Sequence, residues 1–104
     1  MGFVKACNLN DLEDDEIFLV ELEGHEALAL YIIDGEVFAT SDTCTHGEAS
    51  LSEDGYMDEE KVVCSWHDGA FDVRTGEAMR APCFEPLKTY KTDVRGEEVF
   101  VDIG

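Results

Sequence analysis

Basic side chains are scarce in this sequence, where 7 Lys and Arg stand against 25 Asp and Glu and give a formal net charge of −18 at pH 7. Because nucleic acids and anionic membranes attract positively charged surfaces, we expect neither as a partner. The acidity has two interpretations that composition alone leaves open. It is either an adaptation to solubility or high salt, or an acidic face that docks onto a basic partner.

Long apolar runs and linkers are also missing. No stretch approaches the roughly 18 residues of a membrane-spanning helix, and the opening segment MGFVKACNLN contains no apolar region typical of a secretory signal. We therefore expect a cytoplasmic protein, in which the four cysteines indicate ligands or buried small side chains rather than disulfides. With two prolines and no Ser/Gly-rich or Pro-rich tract, residues 1–104 are expected to form one domain.

Helical periodicity is absent over any three turns, whereas a period of two recurs along the chain. The alternation predicts strands, and the Asp34-Gly35 and Arg95-Gly96 pairs predict hairpin turns. Residues 42–60 are polar and aperiodic, which predicts a long loop with one short helical turn. We expect an all-β fold of sandwich or barrel type. The predicted strand segments are 16–24, 26–34, 35–41, 61–66, 69–78 with a turn at 74–76, and a closing hairpin over 87–103.

Four side chains that can bind a metal stand in two compact pairs. Cys44 and His46 lie in CTHG, and Cys64 and His67 lie in CSWH, each pair at the tip of a predicted hairpin-like loop. Two Cys and two His would satisfy tetrahedral zinc, although zinc fingers usually pair Cys with Cys and His with His. One thiolate and one imidazole from each loop suit a two-iron cluster.

With GAFDVRTG at 69–76 following the two motifs, the chain resembles Rieske [2Fe–2S] proteins in layout along nearly its whole length. By size it is similar to a free-standing Rieske-type ferredoxin, such as the ferredoxin component of bacterial aromatic-ring-hydroxylating dioxygenase systems. The resemblance implies stacked antiparallel sheets with a two-loop cluster-binding subdomain. The loops are expected near 42–50 and 64–72.

The resemblance also implies the ligands and the role of the chain. It implies one [2Fe–2S] cluster, with Cys44 and Cys64 on the buried iron and His46 and His67 on the exposed iron. The protein is then a one-electron carrier and not an enzyme. It would accept electrons from a flavin-containing NAD(P)H-dependent ferredoxin reductase and pass them to a terminal non-haem iron aromatic-ring-hydroxylating oxygenase. We expect a monomer that binds these partners transiently.

The chain departs from respiratory Rieske proteins at four positions. Ala49 and Trp66 stand where those proteins have two cysteines joined by a bracing disulfide. Gly69 and Phe71 stand where they have a Ser and a Tyr whose hydroxyls donate hydrogen bonds to the cluster and a Cys sulfur. Because such donors stabilise the added electron, their absence predicts a potential at the lower end of the roughly −150 to +300 mV Rieske range.

Other residues that could bind a metal have simpler expected roles. Cys7 falls in the first strand, as a small buried residue, and His25 in a solvated turn. Cys83 follows Arg80-Ala81-Pro82, which is similar to a proline-containing loop that covers the cluster, and we expect it to pack. Trp66 either packs against the β-scaffold, or shields the cluster or contacts a partner near the two histidines.

Two other functions stay open at this point. One is a Rieske-like small subunit that remains bound to a nitrite reductase or similar enzyme. The other is a zinc-stabilised binding module, since two Cys and two His can also hold zinc.

Overall fold

A computed structural model gives the fold, and it describes residues 2–44, 49–65, 69–80 and 85–104. Regular structure in those ranges is mostly strand, with a 3-10 turn at Leu9–Asp11 and one α-helix, α1, at Leu51–Asp54. No helix of these residues is long and apolar enough to cross a membrane. The strands are β1 (Phe3–Asn8), β2 (Phe18–Val20), β3 (Leu28–Ile33), β4 (Glu36–Ser41), β5 (Gly55–Asp58), β6 (Lys61–Cys64), β7 (Gly69–Asp72), β8 (Ala78–Arg80), β9 (Thr89–Tyr90), β10 (Thr92–Arg95) and β11 (Glu98–Asp102).

The described strands form three sheets. Their strand orders are β1-β11-β10, β2-β3-β4-β9 and β5-β6-β7-β8. Every strand pair within these sheets is antiparallel. The predicted all-β class, with stacked antiparallel sheets, is therefore confirmed. Cys64, from the second predicted ligand pair, is the last residue of β6 in the third sheet.

Strand β3 contributes to two separate cores. Leu28 and Leu30 pack with buried side chains of β1 and β11, whereas Ala29 and Tyr31 pack with buried side chains of β6 and β7. Successive side chains of a strand point to opposite faces. The middle sheet is thus covered on both faces along β3, which explains why this segment is continuously apolar rather than alternating.

Two-residue turns form where the sequence predicts them. Asp34 and Gly35 have φ angles of 52° and 83°, and Ile33 pairs with Glu36 across the turn. Turns with two positive φ angles match the right-handed twist of the strands they join. Gly96, with φ of 65°, begins the turn between β10 and β11. Both predicted turns are confirmed.

Three segments differ from the prediction. Residues 42–60 contain the expected helical turn but also β5, which pairs with β6 and is too short and polar to show a period. Residues 87–103 do not form a single hairpin. Strands β10 and β11 pair with each other, whereas Thr89 and Tyr90 pair with β4. Of residues 16–24, only Phe18–Val20 forms a strand.

Candidate metal centre

Cys44 lies at the base of the first predicted loop. Thr43 and Ser50 form a β-bridge, and the Cys44 N–H donates to the Ala49 carbonyl at 3.0 Å. The Cys44 side chain is only 2% exposed. The backbone is therefore fixed immediately before and after residues 45–48, which lie outside the described residues.

Cys64 has the corresponding position in the second loop. It ends β6, pairs with Gly69 at the start of β7, and pairs on its other side with Gly55 of β5. It is also 2% exposed. The next residue, Ser65, donates its N–H to the Asp54 carbonyl at 3.1 Å, and its hydroxyl donates to the same oxygen. The chain is thus anchored on both sides of residues 66–68.

The fold brings the two thiols into one buried region. Cys44 and Cys64 belong to the same core cluster, together with Leu51 of α1 and Phe71 of β7. Helix α1 leads directly from the first loop into β5, which is the neighbour of β6. A Cβ at Gly55 would lie 2.6 Å from the Leu51 carbonyl oxygen, so a glycine permits this close approach.

The described residues supply two of the four predicted ligands. His46 and His67 lie outside them, as do Trp66 and Cys83. Among the residues that the structure does describe, no group of three or more Cys, His, Asp or Glu could hold a metal. Two buried thiols at the bases of adjacent loops nevertheless fit a thiolate-bound iron, because thiolates are the ligands of iron–sulfur clusters.

A buried carboxylate closes the base of the first loop, and the sequence reasoning missed it. Asp42 is 4% exposed, and its Oδ2 and Oδ1 accept hydrogen bonds from the Ser50 hydroxyl at 2.5 Å and the Ser52 N–H at 2.8 Å. The Ser50-x-x-Glu53 pattern is typical of a helix start and could have located α1. No local pattern marks Asp42, since its partners lie eight and ten residues away.

Two residues of β7 that face the same side of the sheet as Cys64 lack hydroxyl groups. Gly69 is the antiparallel partner of Cys64, and Phe71, two residues further along β7, is fully buried in the same core cluster as Cys64. Side chains at alternate positions share a face of the strand. Residues 69 and 71 therefore face the same side of the sheet as the Cys64 thiol.

His25 and Cys7 have the simple roles that the sequence predicts. His25 lies half-exposed in the turn before β3, with its ring edge-on to Tyr90 at 5.7 Å. Cys7 is buried in β1 and belongs to the other core cluster. Burial raises the pKa of the Cys7 thiol to about 11.

Hydrogen bonds connect Glu26, which lies just before β3, with Tyr90 of β9 and with the residues that precede the first loop. Glu26 accepts hydrogen bonds from the Tyr90 hydroxyl and, at 3.1 Å, from the Ser41 hydroxyl, which in turn accepts from the Thr43 N–H at 3.3 Å. The hydrogen bond from Tyr90 holds the pKa of the Glu26 carboxyl below its usual value.

Comparison with known proteins agrees with this geometry. The family model described as "Rieske [2Fe-2S] domain" matches residues 2–91. The ferredoxin component of a p-cumate 2,3-dioxygenase system from Pseudomonas putida is 50% identical over 101 residues, which is 97% of this chain and 86% of the relative. A solved ferredoxin of Sphingomonas yanoikuyae B1 has a TM-score of 0.93 at 39% identity, covering 99% of this chain and 100% of its own. A ferredoxin solved in complex with the oxygenase of carbazole 1,9a-dioxygenase gives 0.90 at 40% identity, covering 96% and 92%.

Proposed function

The chain belongs to the Rieske [2Fe–2S] family, and we propose that it carries single electrons from a flavin-containing NAD(P)H-dependent reductase to a terminal non-haem iron oxygenase that hydroxylates aromatic rings. It holds one Rieske-type [2Fe–2S] cluster and is an electron-transfer component rather than an enzyme. Because the chain belongs to the Rieske family, the metal centre is a [2Fe–2S] cluster and not the zinc site that the motif spacing left open. The observation that carries the proposal is 50% identity with a dioxygenase ferredoxin over 97% of the chain.

We assign the cluster ligands from the geometry of the two loops. The Cys44 and Cys64 thiolates would hold the inner iron, and the His46 and His67 imidazoles the outer iron. Support comes from the burial of both thiols in one core cluster. When bound, the cluster supplies one-electron redox chemistry. The chain itself excludes water from the two thiols and fixes the backbone on each side of them.

The partners are proposed from the relatives and from charge. A relative at 40% identity is solved in complex with its terminal oxygenase. A net charge of −18 favours docking onto basic patches, because charge complementarity raises the rate of encounter between proteins that bind only briefly. We propose that the protein works as a monomer in the cytoplasm, where its reductase finds NAD(P)H.

Two cysteine substitutions test the ligand assignment. We expect Cys44→Ala to lose iron and acid-labile sulfide, together with the electron paramagnetic resonance signal of the dithionite-reduced protein. Cys7→Ala is the matched control, because Cys7 is also buried but belongs to the other core cluster. It should keep the cluster and still reduce a ring-hydroxylating oxygenase when supplied with reductase and NADH. A cluster retained in Cys44→Ala, or lost from both variants alike, would contradict the assignment.

A further inference from the structure

Asp42 is a buried charged residue that lies two positions before Cys44 and has no role in the scheme above. It is 4% exposed. A buried carboxylate is costly unless hydrogen bonds or a cation compensate it. Of the ion pairs formed within the described part of the chain, none involves Asp42. Two hydrogen-bond donors of the described residues stabilise it.

Those donors come from the far end of the loop that holds Cys44. The Ser50 hydroxyl donates to Oδ2 at 2.5 Å and the Ser52 N–H to Oδ1 at 2.8 Å. The Leu51 N–H donates to the Asp42 carbonyl at 2.7 Å. The residue is in turn anchored to the middle sheet, because its own N–H donates to the Ala27 carbonyl at 3.0 Å. Asp42 thus joins the start of the loop, the end of the loop and the scaffold.

We propose that Asp42 is a positioning residue for the cluster: it joins residues 50–52 to the segment that leads into Cys44, and it places a fixed negative charge two positions from that ligand. This inference rests on the proposed function, in which Cys44 is a ligand. Two separable consequences follow. Loss of the hydrogen bonds should weaken the hold on the backbone next to Cys44 and speed release of the cluster, since groups that orient ligands govern metal retention. Loss of the charge should raise the reduction potential, because a buried charge is poorly screened by solvent.

Three variants separate geometry from charge. Asp42→Asn keeps the shape but is neutral and replaces one acceptor oxygen with a donor. We expect cluster release to a chelator, followed by visible circular dichroism, to be about tenfold faster because a charged hydrogen bond is lost, and we expect the potential to rise. Asp42→Glu keeps the charge but moves both oxygens, so release should accelerate while the potential changes less. Asp102→Asn is the matched control, because the Asp102 carboxylate likewise accepts two hydrogen bonds, both from backbone N–H groups, but lies on β11.

The proposal would be overturned if Asp42→Asn released the cluster at the wild-type rate and kept the wild-type reduction potential. It would also be overturned if Asp102→Asn changed the release rate and the potential as much as Asp42→Asn does. If Asp42→Asn does not fold, Ser50→Ala replaces it, because it removes one donor and leaves the carboxylate. It should release the cluster several-fold faster, and an unchanged rate would refute the inference. Failure of the proposed electron-carrier function would give a different result from failure of the Asp42 proposal, because the wild-type protein itself would then contain no iron or sulfide even after reconstitution.

Discussion

Replacing Gly76 with Ala should be more damaging than the same change at other left-handed glycines. Gly76 has φ of 80°, and its carbonyl accepts a hydrogen bond from the Leu87 N–H at 2.6 Å. An added Cβ would lie 2.1 Å from the Leu87 carbonyl oxygen and 2.9 Å from Cγ2 of Thr89. Because the nearest atom belongs to the backbone, rotation of a side chain cannot relieve this contact. The segment from Leu87 to Thr89 must move.

Three contributions make up the free-energy cost of Gly76→Ala. A non-glycine residue in the left-handed region costs about 1–2 kcal/mol, and overpacking typically costs about 1–3 kcal/mol more. Including a weakened hydrogen bond of about 1 kcal/mol, we expect Gly76→Ala to reduce the free energy of unfolding by about 3–6 kcal/mol. Gly24 is the matched control, since its φ is 73° and nothing lies within 4 Å of its added Cβ. Gly24→Ala should cost only the conformational part, about 1–2 kcal/mol.

Urea unfolding followed by far-ultraviolet circular dichroism measures the difference. With a slope of about 2 kcal/mol per molar urea, Gly76→Ala should lower the midpoint by about 1.5–3 M and Gly24→Ala by about 0.5–1 M. Both variants contain the same cluster, so its contribution cancels in the comparison. Equal midpoint shifts would refute the reasoning, because the two variants differ in the space around the added methyl group and hardly in φ.

Two further predictions concern the potential and the pH dependence of stability. In the double variant Gly69→Ser with Phe71→Tyr, hydroxyls facing the Cys64 side of the sheet should raise the potential measured by voltammetry; an unchanged or lower value would count against the hydrogen-bond argument. Because the pKa of Glu26 is lowered in the folded protein by the hydrogen bond from Tyr90, its contribution to stability is present above the unfolded value of about 4.3 and is lost as the pH falls through the folded value. Glu26→Gln should therefore unfold more readily at pH 7 and show a flatter loss of stability between about pH 5 and pH 3; an equally steep loss in both proteins would exclude this role for Glu26.

Local patterns in the sequence predicted the features that depend on neighbouring residues. The turn at Asp34 and Gly35 was predictable because positive φ angles favour these residue types, and the spacing of the two Cys-His motifs predicted the family of the chain. Features set by distant contacts were missed. Strand β9 exists because Thr89 pairs with Thr40, far away along the chain. The role of Asp42 likewise depends on partners at the other end of a loop.

The register of the third sheet is as important to the metal centre as the motif itself. Val62 and Cys64 lie at alternate positions of β6 and both belong to the core cluster that contains Cys44. Val63, between them, faces the opposite side, because side chains alternate along a strand. A slip of one residue would turn Cys64 away from Cys44. Val62 pairs with Phe71, and both are fully buried in the cluster that contains Cys44, so the packing of side chains that bind no metal helps to set the face on which the second thiol lies.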